Sequence, residues 1–83
     1  MFRTQLLPLR VETVKQIVVN WQLESRGQVF QYNKRFKSAH QAVKFYTELS
    51  IGEYYDRFGI GPPEARQERL RRRLVPVFKN MLK

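Results

Sequence analysis

The sequence predicts an α+β fold: a short N-terminal helix, a β-hairpin, a central helix packed across it, and a basic C-terminal helix. Three observations predict it. A turn at Gly27, beside Ser25 and Arg26, separates two strand-like runs. Apolar residues at helical spacing follow Ser38. A Gly/Pro break at Gly59, Gly61, Pro62 and Pro63 precedes a second helical stripe. With 83 residues, one domain is expected: a small α+β core over 1–61, and a basic C-terminal helix over 62–83 of that same domain.

Taken in order, Val11, Val14, Ile17, Val18 and Trp21 share a helix face. Ile17-Val18-Val19 is also a β-branched run that suits a strand. A short helix from about Val11, turning extended near Trp21, is expected. Over 21–36, Phe30, Tyr32 and Phe36 fall on even positions, with Val29 breaking strict alternation. Trp21 is expected to anchor the core.

The next helix is expected from Ser38 to about Ser50. Ser38 is positioned to cap its start, with Gln41 completing a capping box. Ala42, Phe45, Tyr46 and Leu49 form its stripe, and Gly52 weakens it without ending it. In the last helix, Pro63 takes the first position and Glu64 suits the positive end of the dipole. Leu70, Leu74, Val77, Phe78 and Met81 define its apolar face, and Pro76 should kink or split it.

Composition limits the function classes. At 42% hydrophobic and 13% aromatic residues, the chain is too apolar to be wholly disordered. A chain of this size buries only about 60% of its unfolded surface, so the core is thin. The absence of cysteine excludes disulfide staples, thiolate metal sites and thiol catalysis, and points to an intracellular or organellar protein. No run approaches the roughly 20 apolar residues of a membrane-spanning helix, and no secretory signal is expected. Arg3 and Arg10 with Leu6, Leu7 and Leu9, and no acid before Glu12, give the start the character of a mitochondrial presequence, although Pro8 interrupts it.

Sixteen Lys and Arg against seven Asp and Glu leave a net charge of +9, which attracts polyanions, RNA foremost. The densest cationic cluster is Arg66, Arg69, Arg71, Arg72 and Arg73. Guanidinium forks pair with phosphate at two points. At 100° per residue, Arg66, Arg69 and Arg73 share one flank, with Arg71 and Arg72 round the other side. Glu68 is spaced to pair with Arg72. A second cluster, Lys34, Arg35 and Lys37, interleaves with Tyr32 and Phe36, as in platforms where bases stack on rings. Tyr54, Tyr55, Leu74, Val77, Phe78 and Met81 are the candidate protein-contact residues.

Nothing in the sequence points to catalysis, a cofactor, a metal or a small-molecule substrate. His40 is the only histidine, and no phosphate-cradling glycine loop or zinc signature is present.

Trp21, Phe36-Lys37, Ala42 and Phe45 resemble the first half of the pterin-4a-carbinolamine dehydratase family, over residues 21–45. The resemblance implies a β–β–α unit. The family's catalytic histidine pair would fall near Arg57-Phe58-Gly59-Ile60, where there is no histidine, so it implies the fold without the activity. Tyr54-Tyr55 followed by an Arg-rich helix also resembles small ribosomal proteins that lay a basic helix along rRNA. The expected function is a non-enzymatic RNA-binding component of a ribonucleoprotein, with a mitochondrial ribosome as the specific case and neighbouring proteins of the assembly as further partners. The alternatives are a protein-binding subunit or regulator of an enzyme complex, and a dehydratase-like fold without activity.

Overall fold

The structure, a computed structural model, describes residues 3–11 and 15–83. Its elements are strands β1 (Arg3–Leu6), β2 (Arg10–Val11), β3 (Ile17–Ser25) and β4 (Gln28–Phe36), then helices α1 (Ala39–Phe58) and α2 (Glu64–Met81). The α+β class holds, but its start is a strand meander. Arg10–Val11 is strand, Ile17 is already extended, and positions 12–14 of the expected helix lie outside the described residues. The β-branched run at Ile17-Val18-Val19 prevails over the helical spacing because it becomes the middle of a sheet, where branched side chains pack well.

β3 is the central strand. β4 pairs antiparallel along its whole length, from Ile17 opposite Phe36 to Ser25 opposite Gln28. β1 and β2 pair antiparallel with successive stretches of its other flank, so the sheet is three strands across. The hairpin turns on Arg26 (φ 51°) and Gly27 (φ 78°), the two consecutive positive φ values of a two-residue loop that matches strand twist. Gly27 supplies its share without a Cβ penalty.

One face of the sheet carries Ile17, Val19 and Phe36 into the core. The other face holds the fully buried Val18 at one end and is otherwise mainly polar. There the Gln22 amide donates to Gln5 Oε1 at 2.7 Å and the Arg35 guanidinium donates to Asn33 Oδ1 at 3.2 Å. Away from Val18, such alternation is expected where an antiparallel sheet has one face open to water.

α1 starts where the sequence places it. The Ser38 hydroxyl accepts from the Gln41 N–H at 3.4 Å. The helix runs through Gly52 and ends at Gly59, whose φ of 76° and N–H donated to the Tyr55 carbonyl at 2.7 Å make a left-handed cap. Ala42, Val43 and Thr47 are fully or almost fully buried, with Phe45, Tyr46 and Leu49 packed beside them.

α2 begins at Glu64, one residue later than expected, with Pro63 just outside it. Pro76 neither splits nor ends it. The ring sits on the exposed side, away from α1, so the helix continues to Met81. Leu74 and Phe78 are buried in the same cluster as Ile17, Phe36 and Ala42, which docks α2 onto the core. The Cα atoms span 39 × 31 × 15 Å, the slab expected of a sheet with one helical layer.

Candidate nucleic-acid interface

The apolar side of α2 faces α1, and this determines where its arginines go. Phe78 meets Tyr46 edge-on at 5.7 Å between ring centroids. With that side occupied, Arg66, Arg69, Arg72 and Arg73 are exposed on the rest of the helix. Arg71 is partly covered and pairs with Glu68 Oε1 at 3.2 Å. The expected Glu68–Arg72 pair is therefore replaced by an i,i+3 pair, and Arg72 stays on the exposed side.

Arg66 also touches the seam between the helices, and Arg73 acts on it through its charge. The Arg66 guanidinium lies 5.1 Å from the Tyr54 ring centroid, and Tyr54 packs on Phe58 at 4.5 Å. Arginine stacked on an aromatic ring keeps its donors turned outward for a phosphate. Next along the seam, burial raises the Tyr46 hydroxyl above its ordinary pKa; nearby Glu53 adds to this and Arg73 opposes it. Arg57, Arg66, Tyr54 and Leu70 line the same seam.

The second cluster sits elsewhere. Lys34 Nζ lies 5.1 Å from the Phe45 centroid and 5.5 Å from that of Phe36, so its cation rests on an aromatic group at the junction of β4 and α1. Trp21 stacks on Tyr32 at 5.6 Å and meets Phe45 edge-on at 5.2 Å. Lys37 is exposed just after β4. α1 separates the two clusters: Phe45 faces the sheet, and Tyr46 faces α2.

The protein-contact candidates divide. Leu74 and Phe78 are buried in the chain's own core and Met81 packs against it, so these three serve α2 docking and not an outside partner. Tyr54 lies beneath Arg66. Tyr55 (57% exposed) and Val77 (48% exposed) remain on the surface. Phe58 and Ile60, not singled out from the sequence, join Tyr55 as exposed apolar residues at the end of α1. Phe58 lies just before the Gly/Pro break and Ile60 within it, which was the available signal.

Sequence reasoning also missed Glu53 and Asp56. Glu53 Oε2 accepts the Leu6 N–H and Asp56 Oδ2 accepts the Thr4 N–H, both at 2.8 Å. These carboxylates, one helical turn apart, close the outer edge of β1 and are engaged by backbone. Among the described residues, no group of His, Cys, Asp and Glu is arranged to hold a metal, and no helix is long and apolar enough to cross a membrane. Comparison with known protein families, curated proteins and solved structures finds no match.

Proposed function

We propose that the protein is a non-enzymatic RNA-binding component of a ribonucleoprotein assembly, with a mitochondrial ribosome as the specific case. One observation carries the reading: α2 is docked by Leu74 and Phe78, and this leaves Arg66, Arg69, Arg72 and Arg73 exposed on a helix already in place. A pre-organised row of guanidinium groups binds phosphates without first ordering the helix. The net charge of +9 supplies the long-range attraction. Lys37, exposed just after β4, adds a second and separate basic point on the other side of α1.

The test is binding of the purified, nuclease-treated protein to RNA across a salt series. Steep loss of affinity with salt, reduced when the four exposed arginines become glutamine, supports the reading. Undiminished affinity in that variant overturns it.

A second reading, a protein-binding subunit, is favoured by the exposed apolar group Tyr55, Phe58 and Ile60. A stoichiometric protein partner lost on Tyr55→Ser with Phe58→Ser would support it.

A further inference from the structure

We propose that the uncovered corner of the sheet, built on Tyr32, seats an unpaired base of single-stranded RNA, with Lys34 holding a neighbouring phosphate. The inference rests on the RNA-binding reading for the polymer and adds a contact on the other side of α1 from the arginine row.

α1 covers only part of the sheet. It follows directly on β4, with Phe45 against Phe36 and Trp21, and its last turns close on β1 through Glu53 and Asp56. The helix therefore crosses the sheet obliquely and leaves the turn end of the β3–β4 hairpin uncovered. Trp21 pairs with Tyr32 and Leu23 with Phe30, an even number of steps from Val19 opposite Lys34, so all of these side chains share the α1 face. Phe36, at the covered end of β4, is only 8% exposed, whereas Phe30 and Tyr32 are each 44% exposed. Of Tyr32 and Phe36, only Tyr32 is therefore open to a base, and Phe30 flanks it.

Tyr32 is pre-arranged for stacking. One face of its ring lies against Trp21, at 5.6 Å between centroids and 21° between planes, and Trp21 is held in turn by Phe45 edge-on at 5.2 Å. The other face of Tyr32 has no ring partner among the described residues. A base laid there extends the Trp21–Tyr32 stack by one layer without reordering a side chain. Charge selects the occupant. The hairpin residues on this face carry one cation, Lys34, and no acid. Lys34 is exposed, lies about 7 Å along β4 from Tyr32, and forms no ion pair among the described residues. Its contacts with Phe45 and Phe36 hold the cation beside the rings. An open aromatic face next to a cation without an acid matches a flat base joined to a phosphate. A base inside a duplex is covered on both faces by its neighbours, so an unpaired base is the one that fits.

The test compares a single-stranded oligoribonucleotide with an abasic strand of equal charge, read by affinity and by tryptophan fluorescence. Trp21 is the only tryptophan, so a base stacking on Tyr32 is expected to change its emission, and the abasic strand is expected to leave it unchanged. Tyr32→Leu keeps apolar cover but removes the ring. It is expected to weaken binding of the base-bearing strand about ten- to a hundredfold with an unchanged salt slope, because no cation is lost. Tyr32→Phe is expected to bind like the native chain. Equal affinity and equal emission for the two strands, with salt dependence intact, overturns the platform and leaves the arginine row standing. Undiminished binding when Arg66, Arg69, Arg72 and Arg73 become glutamine, with Tyr32→Leu still weakening it, overturns the arginine row and upholds the platform. Failure of both strands to bind at low salt overturns both. A protein seated on Tyr32 that RNA does not displace also overturns the platform. If Tyr32→Leu does not fold, as judged by circular dichroism, the comparison of the two strands on the native chain decides.

Discussion

The carboxylate of Glu53 accepts the backbone N–H of Leu6 at 2.8 Å across 47 residues of sequence. It does for an edge strand what a neighbouring strand would otherwise do. Asp56 repeats the interaction one turn on, at Thr4. Hydrogen bonds to charged groups contribute about 1.5–3 kcal/mol each. Glu53→Ala is therefore expected to destabilise the fold by about 1–3 kcal/mol in urea titration, with Glu53→Gln intermediate because it keeps an acceptor. In the double variant with Asp56→Ala, faster hydrogen exchange is expected first at β1. Unchanged exchange there would refute the edge-closing role.

Tyr46 gives an alkaline signature. Burial, reinforced by Glu53 and opposed by Arg73, raises its pKa above the ordinary 10.0. The unfolded tyrosine loses its proton first as pH rises, so the unfolded state binds fewer protons there. Its contribution is intact below the unfolded value of 10.0 and is lost as pH climbs through the higher folded value. Tyr46→Phe should flatten that alkaline loss in denaturation measured against pH. In tyrosinate absorbance, the variant should lack the titration that burial shifts upward.

Two small substitutions in α1 should stabilise the protein. A Cβ added at Gly52 meets nothing within 4 Å, and Gly52 does not have the positive φ of Gly27 and Gly59. Gly52→Ala is expected to add about 0.5–1 kcal/mol through helix propensity and a less flexible unfolded chain. Thr47 is fully buried and its hydroxyl has no partner among the described residues. Thr47→Val should be neutral or stabilising by about 1 kcal/mol, since an unmatched buried polar atom is removed. Melting temperatures that fall in both variants would contradict the packing described for α1.

Phe78 is the residue on which α2 depends. It is fully buried and shares a cluster with Leu74, Ile17 and Phe36. Phe78→Ala is expected to cost about 3–5 kcal/mol, a large part of the stability of so short a chain. Protease cleavage should appear first within 64–81. Because a docked α2 presents the arginine row, RNA affinity should fall as well, although no cation has been removed.

The arginines should not be equivalent. Arg71 is held by Glu68 at 3.2 Å, whereas Arg69, Arg72 and Arg73 are more exposed. Arg71→Gln is expected to reduce the salt slope of RNA binding less than Arg72→Gln. An arginine that neutralises one phosphate should account for roughly 0.7–0.9 of that slope. Equal effects at the two positions would show that the Glu68 pair does not survive binding.

By itself the sequence determined the elements whose signals are local. The Ser38 cap and the stripe from Ala42 to Leu49 specify α1, Gly27 specifies the hairpin, and the Gly/Pro break separates the helices. The basic surface was equally legible, since charge depends on composition. Only the tertiary structure decided the rest. Ile17-Val18-Val19 suits helix or strand until pairing with β4 on one side and with β1 and β2 on the other makes it the sheet's centre. Pro76 reads as a helix breaker until α1 turns it outward, where its lost hydrogen bond faces water. Leu74 and Phe78 suit either the domain's own core or a neighbouring protein until the sheet and α1 are in place to bury them. Glu53 and Asp56 read as surface acids until Leu6 and Thr4, about fifty residues earlier, arrive beside them. These outcomes share a physical reason: local signals follow from chain geometry within a few residues, whereas burial and edge closure are properties of surfaces that exist only after distant segments meet.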